Sequence, residues 1–412
     1  MILNYLWAAF FIVAAFIAFF RLLIFSDGSL FPAMIDATFQ ASKTGFEISL
    51  YLTGVMALWL GLMKIGERGG IVPILAKVIG PFSKRLFPSV PNEHPASGSI
   101  IMNFSANMLG LDNAATPLGL KAMKELQELN PKKDEASDAQ IAFMVLNASG
   151  LTIIPITIIA DRATLGSINP TSIFIPTLLA TFVSTMAGLV YLSFKQKIRW
   201  DFVFLSYIIG LCVFVSASMY YFTSLGPESL KLKSSIISSL IIFTIILSFI
   251  TLGIKRKIPL FETFVEGAKE GFETAIKIIP YLVAMLVGIA VFRASGAIDY
   301  LMDGMKFLFG TLLQINTAFV DALPVAILKP LTGQGSRAMM MDIAKTLGPD
   351  SFAGNLASIF RGCSETTFYV VAVYFGSVNI KKTRYAVTGG LLADIAGAVA
   401  AIFIAYLFFD VV

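Results

Sequence analysis

Histidine and cysteine are nearly missing from this 412-residue chain, which has one His (His94) and two Cys (Cys212 and Cys363). A metal site built from His and Cys needs three or four ligands, and a disulfide framework needs several thiols, so neither can be assembled. No cofactor is expected. The same scarcity speaks against a membrane enzyme, because its nucleophile and base would have to come from carboxylates alone. Charge is scarce as well: 14% of residues are charged and 57% are hydrophobic, with a mean hydropathy of +0.80. That is too little polar surface to wrap a soluble core of this size. The net charge of +5 does not signal nucleic acid, since the basic residues sort by membrane side.

What the chain does have is apolar length. A membrane-crossing helix needs about 20 apolar residues, and such segments are read at Leu3 to Leu23, Phe46 to Met63, Ala139 to Ala160, Thr171 to Phe194, Phe202 to Phe222, Ser234 to Ile254, Ala275 to Phe292, Phe352 to Phe375 and Ala386 to Phe409. The expectation is an all-α polytopic membrane protein with about nine full spans. The first span is too long for a signal-peptide core and no small-residue cleavage site follows it, so it is expected to be retained.

The chain also repeats itself. Ala41-Ser-Lys-Thr-Gly-Phe-Glu47 recurs as Gly267-Ala-Lys-Glu-Gly-Phe-Glu273, and each copy opens a similar series of spans and polar hairpins. Five spans separate equivalent points, an odd number, so the second copy enters the membrane from the opposite face and the repeats are inverted. The expected units are an N-terminal transmembrane helix (1–34), a first repeat (35–200), two linking helices (201–260) and a second repeat (261–412). Gly45 and Gly271 are expected in equivalent short interfacial helices. Nineteen Lys and Arg in the loops and hairpins fall on the N-terminal side of the membrane against eight, Arg162 and Arg337 among them, on the other. By the positive-inside rule the N-terminus is cytoplasmic and the C-terminus outside, in the plasma membrane.

Polar residues interrupt the apolar runs at four places, two per repeat. Irregular backbone at membrane depth is tolerated only where it lines protein or a wet cavity. The hairpin Ala96 to Leu126 holds Asn107, Asp112 and Asn113, with a break at Gly110 and a restart near Pro117; an ordinary capped loop is the competing reading. Asn147 and Ser149 sit in Asn147-Ala-Ser-Gly-Leu-Thr-Ile-Ile-Pro155, which either unwinds a span or packs it closely through small residues. The hairpin Phe319 to Leu347 carries the tip Lys329-Pro-Leu-Thr-Gly-Gln-Gly-Ser-Arg337, with Thr332, Gln334 and Ser336; it is not a Walker A loop, since no Gly-Lys-Ser/Thr follows the glycines. Finally Arg361, Ser364, Glu365 and Thr366 lie inside an apolar run. Arg361 and Glu365 are four residues apart, and on one helix they would neutralise each other. Intramembrane charge is usually functional, with a structural ion pair as the alternative.

These residues carry a resemblance. Gly110 to Met123 and Asn147 to Leu151 resemble spore maturation protein A, and Ser364 to Val378 resembles spore maturation protein B, so the chain looks like a fusion of the two. Both halves are similar to the nucleoside recognition, or Gate, domain of concentrative nucleoside transporters and of the membrane part of ferrous-iron transport protein B. The resemblance implies a transport-like fold with re-entrant hairpins and a midplane site. The expected function is a secondary transporter for a small zwitterionic or carboxylate-bearing metabolite, with the twelve residues from Asn107 to Thr366 named above binding substrate. Glu365 is the expected proton or sodium coupler. A nucleoside transporter and a non-transporting scaffold in envelope or spore maturation stay open. The partners expected are the substrate and the lipid bilayer, without nucleic acid, and self-association into a homo-oligomer stays open too.

Overall fold

Inside a bilayer a backbone must satisfy its own N–H and C=O groups, and a helix does so within one segment. The computed structural model accordingly folds into helices; it describes residues 2–91, 93–108, 112–150, 152, 155–198, 201–224 and 227–410. In chain order these are α1 (Ile2–Phe25), α2 (Leu30–Gly69), α3 (Ile71–Leu86), α4 (Pro95–Met108), α5 (Asp112–Leu129), α6 (Asp138–Ala148), α7 (Ile156–Thr164), α8 (Phe174–Gln196), α9 (Phe202–Thr223), α10 (Pro227–Lys255), α11 (Leu260–Ala294), α12 (Ala297–Lys306), α13 (Leu323–Leu328), α14 (Gly333–Leu347), α15 (Phe352–Gly362), α16 (Thr367–Gly376) and α17 (Ala386–Phe408). No strand forms among the described residues.

The order of elements repeats. From α2 to α8 and again from α11 to α17 come a long helix, a shorter one, two hairpin arms, two halves of a broken helix and another long helix. The long helices α2 and α11 end alike, at Gly70 with φ +87° and Gly296 with φ +80°. At each, a left-handed glycine lets the chain turn sharply into the next helix.

Two antiparallel helix pairs hold the halves together. Along α2 and α11, a Cβ on Gly45 would lie 2.9 Å from Val283, and one on Gly271 would lie 2.8 Å from Ala57. The sequence interval from Gly45 to Gly271 equals that from Ala57 to Val283, so the two contacts are the same contact seen from either half. Lys64 reaches Glu270 at 2.9 Å and Arg68 reaches Glu266 at 2.7 Å at one end of this pair. In the other pair, a Cβ on Gly397 of α17 would lie 3.0 Å from Ser184 of α8. Small residues let the backbones approach where lipid supplies no hydrophobic drive.

Gly45 and Gly271 lie inside the 40-residue α2 and the 35-residue α11. The short interfacial helices expected there do not form, because nothing in either sequence breaks the helix between the amphipathic stretch and the apolar one. All nine segments expected to span fall on helices, two of them broken. Among the described residues, Trp7–Phe25, Pro170–Gln196 and Ala386–Phe408 are long and apolar enough to cross a membrane, with a fourth if Val283–Ala294 and Ala297–Leu312, bent by 71°, form one span. The broken helices fall short because their pieces are only 9 to 11 residues long. The chain is a membrane protein.

Candidate functional site

The two broken helices meet at their breaks. The α6 helix stops at Ala148, and Gly150 follows with φ +67°. The Ala148 carbonyl, released by the break, accepts the Glu365 N–H at 2.8 Å. A Cβ on Gly150 would lie 2.7 Å from the Ser364 carbonyl carbon and 2.9 Å from the Glu365 nitrogen. Glycine therefore serves twice here, in its backbone angle and in the space it leaves.

Around the break in the second half, polar atoms are buried without partners. Lys329, at the end of α13, is 2% exposed, and its Nζ makes no hydrogen bond. Arg361 Nε, Ser364 Oγ and Gln334 Oε1 are buried and unpartnered too. Asp394 of α17 accepts from the Thr367 hydroxyl at 2.6 Å through Oδ2, while its Oδ1 has no partner. Arg361, Glu365 and Asp394 all lie within electrostatic reach of Lys329. The hairpin tip closes on the break, with the Phe368 N–H donating to the Pro330 carbonyl at 3.1 Å. Thr332 caps α14 by accepting from Gly335 N–H at 3.1 Å.

The first half is different in kind. Asn107 Nδ2 donates to Asn147 Oδ1 at 2.6 Å, and Tyr374 Oη of α16 donates to the same oxygen at 3.2 Å. Asn103 ties the two hairpin arms by donating to the Ala115 carbonyl at 2.8 Å. Here the polar groups satisfy one another.

Both ends of this region are clasped by loops from opposite halves. At one end Arg384 donates to the Ala136 carbonyl at 2.9 Å and pairs with Asp138 at 2.8 Å, while Ala136 N–H donates to the Lys382 carbonyl at 3.0 Å. At the other, the fully buried Arg162 donates to the Pro349 carbonyl at 2.7 Å and pairs with Asp350 at 2.8 Å. Asp350 also accepts from Ser167 Oγ at 2.6 Å and Ile168 N–H at 2.8 Å.

Of the residues singled out in sequence, Arg361, Ser364, Glu365 and Thr366 lie at the second break. The first turn of α14, with Thr332 and Gln334, comes up to it, a Cβ on Gly333 lying 3.1 Å from Thr366 Oγ1, whereas Ser336 bonds the Gly333 carbonyl at 3.0 Å. Asn107 and Asn147 bond each other, and Ser149 bonds the Leu146 carbonyl at 2.9 Å and Thr185 at 3.2 Å. Asp112 and Asn113 open α5, and their side chains lie outside the described residues. Arg361 and Glu365 form no ion pair, because α15 ends at Gly362 and α16 starts only at Thr367, so the helical turn between them does not exist. Arg162 and Arg337, counted in sequence as loop charges, are 0% and 3% exposed. Each has found a carboxylate, although Arg162 keeps a buried Nε without a partner. Asp394 and Lys329 went unselected, although a charge in the run Ala386 to Phe409 obeys the same cost rule that flagged Arg361.

Comparison with known proteins finds matches to parts of the chain. Residues 49–164 match the family model described as nucleoside recognition, or Gate. Spore maturation protein B of Bacillus subtilis strain 168 is 47% identical over 172 residues, which are 42% of this chain and 94% of that protein. Spore maturation protein A of the same organism is 42% identical over 165 residues, 39% of this chain and 84% of that protein.

Proposed function

The chain belongs to the family of spore maturation proteins A and B, and from that premise we propose that it is a secondary transporter of a small polar metabolite, built from two inverted repeats. The observation that carries this reading is the meeting of two helix breaks, Ala148 to Gly150 and Cys363 to Thr366, beside buried polar atoms that lack partners. Leaving a polar group buried and unpaired costs roughly 1–3 kcal/mol each, more when it is charged. Such a cost is retained where a bound ligand removes it.

The inverted arrangement is supported by the matched order of elements and by the equivalent contacts of Gly45 and Gly271. Discontinuous helices at the interface of inverted repeats let one site open alternately to either side. The hairpins α4–α5 and α13–α14 are then re-entrant arms. The clasps fall on opposite faces, the one at Arg384 cytoplasmic and the one at Arg162 outside. No chemistry on the substrate is involved, so the protein is not an enzyme.

Uptake into proteoliposomes of labelled amino acids, dipeptides, succinate and uridine tests the reading. Uptake of at least one, lost in Glu365→Gln with normal folding, is the expected result. If none enters and none stabilises the purified protein, a scaffold role replaces transport. If only uridine enters, the substrate is a nucleoside.

A further inference from the structure

We propose that Lys329 is the carboxylate-binding residue of this site, with Arg361 beside it, and that Asp394 receives the amino group of a small zwitterion such as an amino acid or short peptide. The proposal rests on the transporter reading and adds two residues that sequence patterns did not single out.

The argument starts from what Lys329 lacks. An ammonium has three donors and is strongly hydrated, so a lysine that is 2% exposed with no hydrogen bond is the most costly arrangement a side chain can have. Structural lysines avoid it by pairing, as Lys64 does with Glu270 at 2.9 Å. Lys329 lies in electrostatic reach of two carboxylates, Glu365 and Asp394, yet pairs with neither. Asp394 instead turns one oxygen to Thr367 and holds the other near the Ser364 hydroxyl without a formed hydrogen bond. Unpartnered donors on Lys329 and Arg361 and an unpartnered acceptor on Asp394 thus belong to one buried cluster.

The charge balance selects among ligands. With both carboxylates ionised, Lys329 and Arg361 cancel Glu365 and Asp394, so a net-neutral zwitterion enters without leaving a buried charge uncompensated. A dicarboxylate would bring in excess negative charge, and an uncharged ligand would leave the ammonium unpaired. The Ser364 hydroxyl, also unpartnered, can donate to the carboxylate.

The decisive experiment uses minimal probes on the full-length protein in detergent at constant ionic strength: glycine, acetate, acetamide and uridine, read by thermal shift on wild type and Lys329→Met. Glycine is expected to raise the melting temperature most, acetate less and acetamide not at all. In Lys329→Met the glycine and acetate shifts vanish while the ligand-free protein melts higher than wild type, because a buried ammonium without a hydrogen bond has gone. A structural lysine would give the opposite, a lower melting temperature. The proposal is overturned if acetamide matches glycine, if neither carboxylate probe shifts wild type, or if the glycine shift survives in Lys329→Met. A shift with uridine alone would sink the carboxylate site but spare the transporter reading. Silence from every probe, with no uptake, would sink both.

Discussion

Asp161 of α7 and Arg337 of α14 form a two-pronged ion pair between the halves of the chain, with Nε to Oδ2 at 2.8 Å and Nη2 to Oδ1 at 2.5 Å. Their side chains are 1% and 4% exposed. A pair so placed is strongly destabilised by losing one member, since the other charge then stays buried alone, at about 3–5 kcal/mol. Asp161→Ala should therefore lower thermal stability severely, and the double change Asp161→Leu with Arg337→Met should recover much of the loss. Melting curves of the wild type and the two variants decide it; a double variant as unstable as the single would show that the pair fixes the hairpin in a way hydrophobic packing cannot.

Gly271 lies against the α2 backbone, where an added Cβ would sit 2.6 Å from the Met56 carbonyl. Gly271→Leu should force α2 and α11 apart at a cost of about 1–3 kcal/mol, the usual scale of overpacking. Gly304, with nothing within 4 Å of its Cβ position, is the control. Equal melting temperatures for Gly271→Leu and Gly304→Leu would contradict the close packing.

At Gly150 both the positive φ and the neighbouring Ser364 backbone oppose a side chain. Gly150→Ala carries a left-handed penalty of roughly 1–2 kcal/mol and separates the two breaks. Uptake should fall by more than the stability loss explains, measured as the rate per folded protein. A variant that is less stable but transports at the wild-type rate would mean the breaks need not touch.

Topology is testable by tags. Accessibility labels at Lys132 and Lys197 should report cytoplasm, and labels at Ile168, which is exposed in the loop after Arg162, and at the C-terminus should report the outside. A cytoplasmic C-terminus would mean that either the nine-span count or the orientation is wrong.

The two relatives match about two-fifths of the chain each, at 42% and 39%, while the α2–α11 and α8–α17 pairs both run between the halves. Residues 1–198 and 201–412, coexpressed as separate chains, should copurify and retain uptake. Failure to associate would show that the covalent link through α9 and α10 is required for assembly.

Helices and the polar interruptions were legible in the sequence because both follow from single-residue costs: apolar length against lipid, and glycine or asparagine against helix. What the breaks do to their neighbours was not. The spacing of Arg361 and Glu365 reads as one helical turn, and only the path of the chain through Cys363 and Ser364 cancels it. Asn147 was legible as polar, yet its partners Asn107 and Tyr374 come from elements 40 and 227 residues away. Arg162 and Arg337 looked like loop charges, because burial paid back by a distant carboxylate leaves no local signature.

A membrane that stores a voltage cannot afford a pore, and the two clasps bear on that directly. Arg384 with Asp138 at one end and Arg162 with Asp350 at the other are both closed, which in the transporter reading places two locks in series. If each opened independently about 1% of the time, within the usual range for minor states, both would be open together for about one part in 10,000. Coupling that lets one open only while the other is shut lowers the leak further. Loosening either clasp would then raise ion leak across the membrane before it lowered substrate uptake.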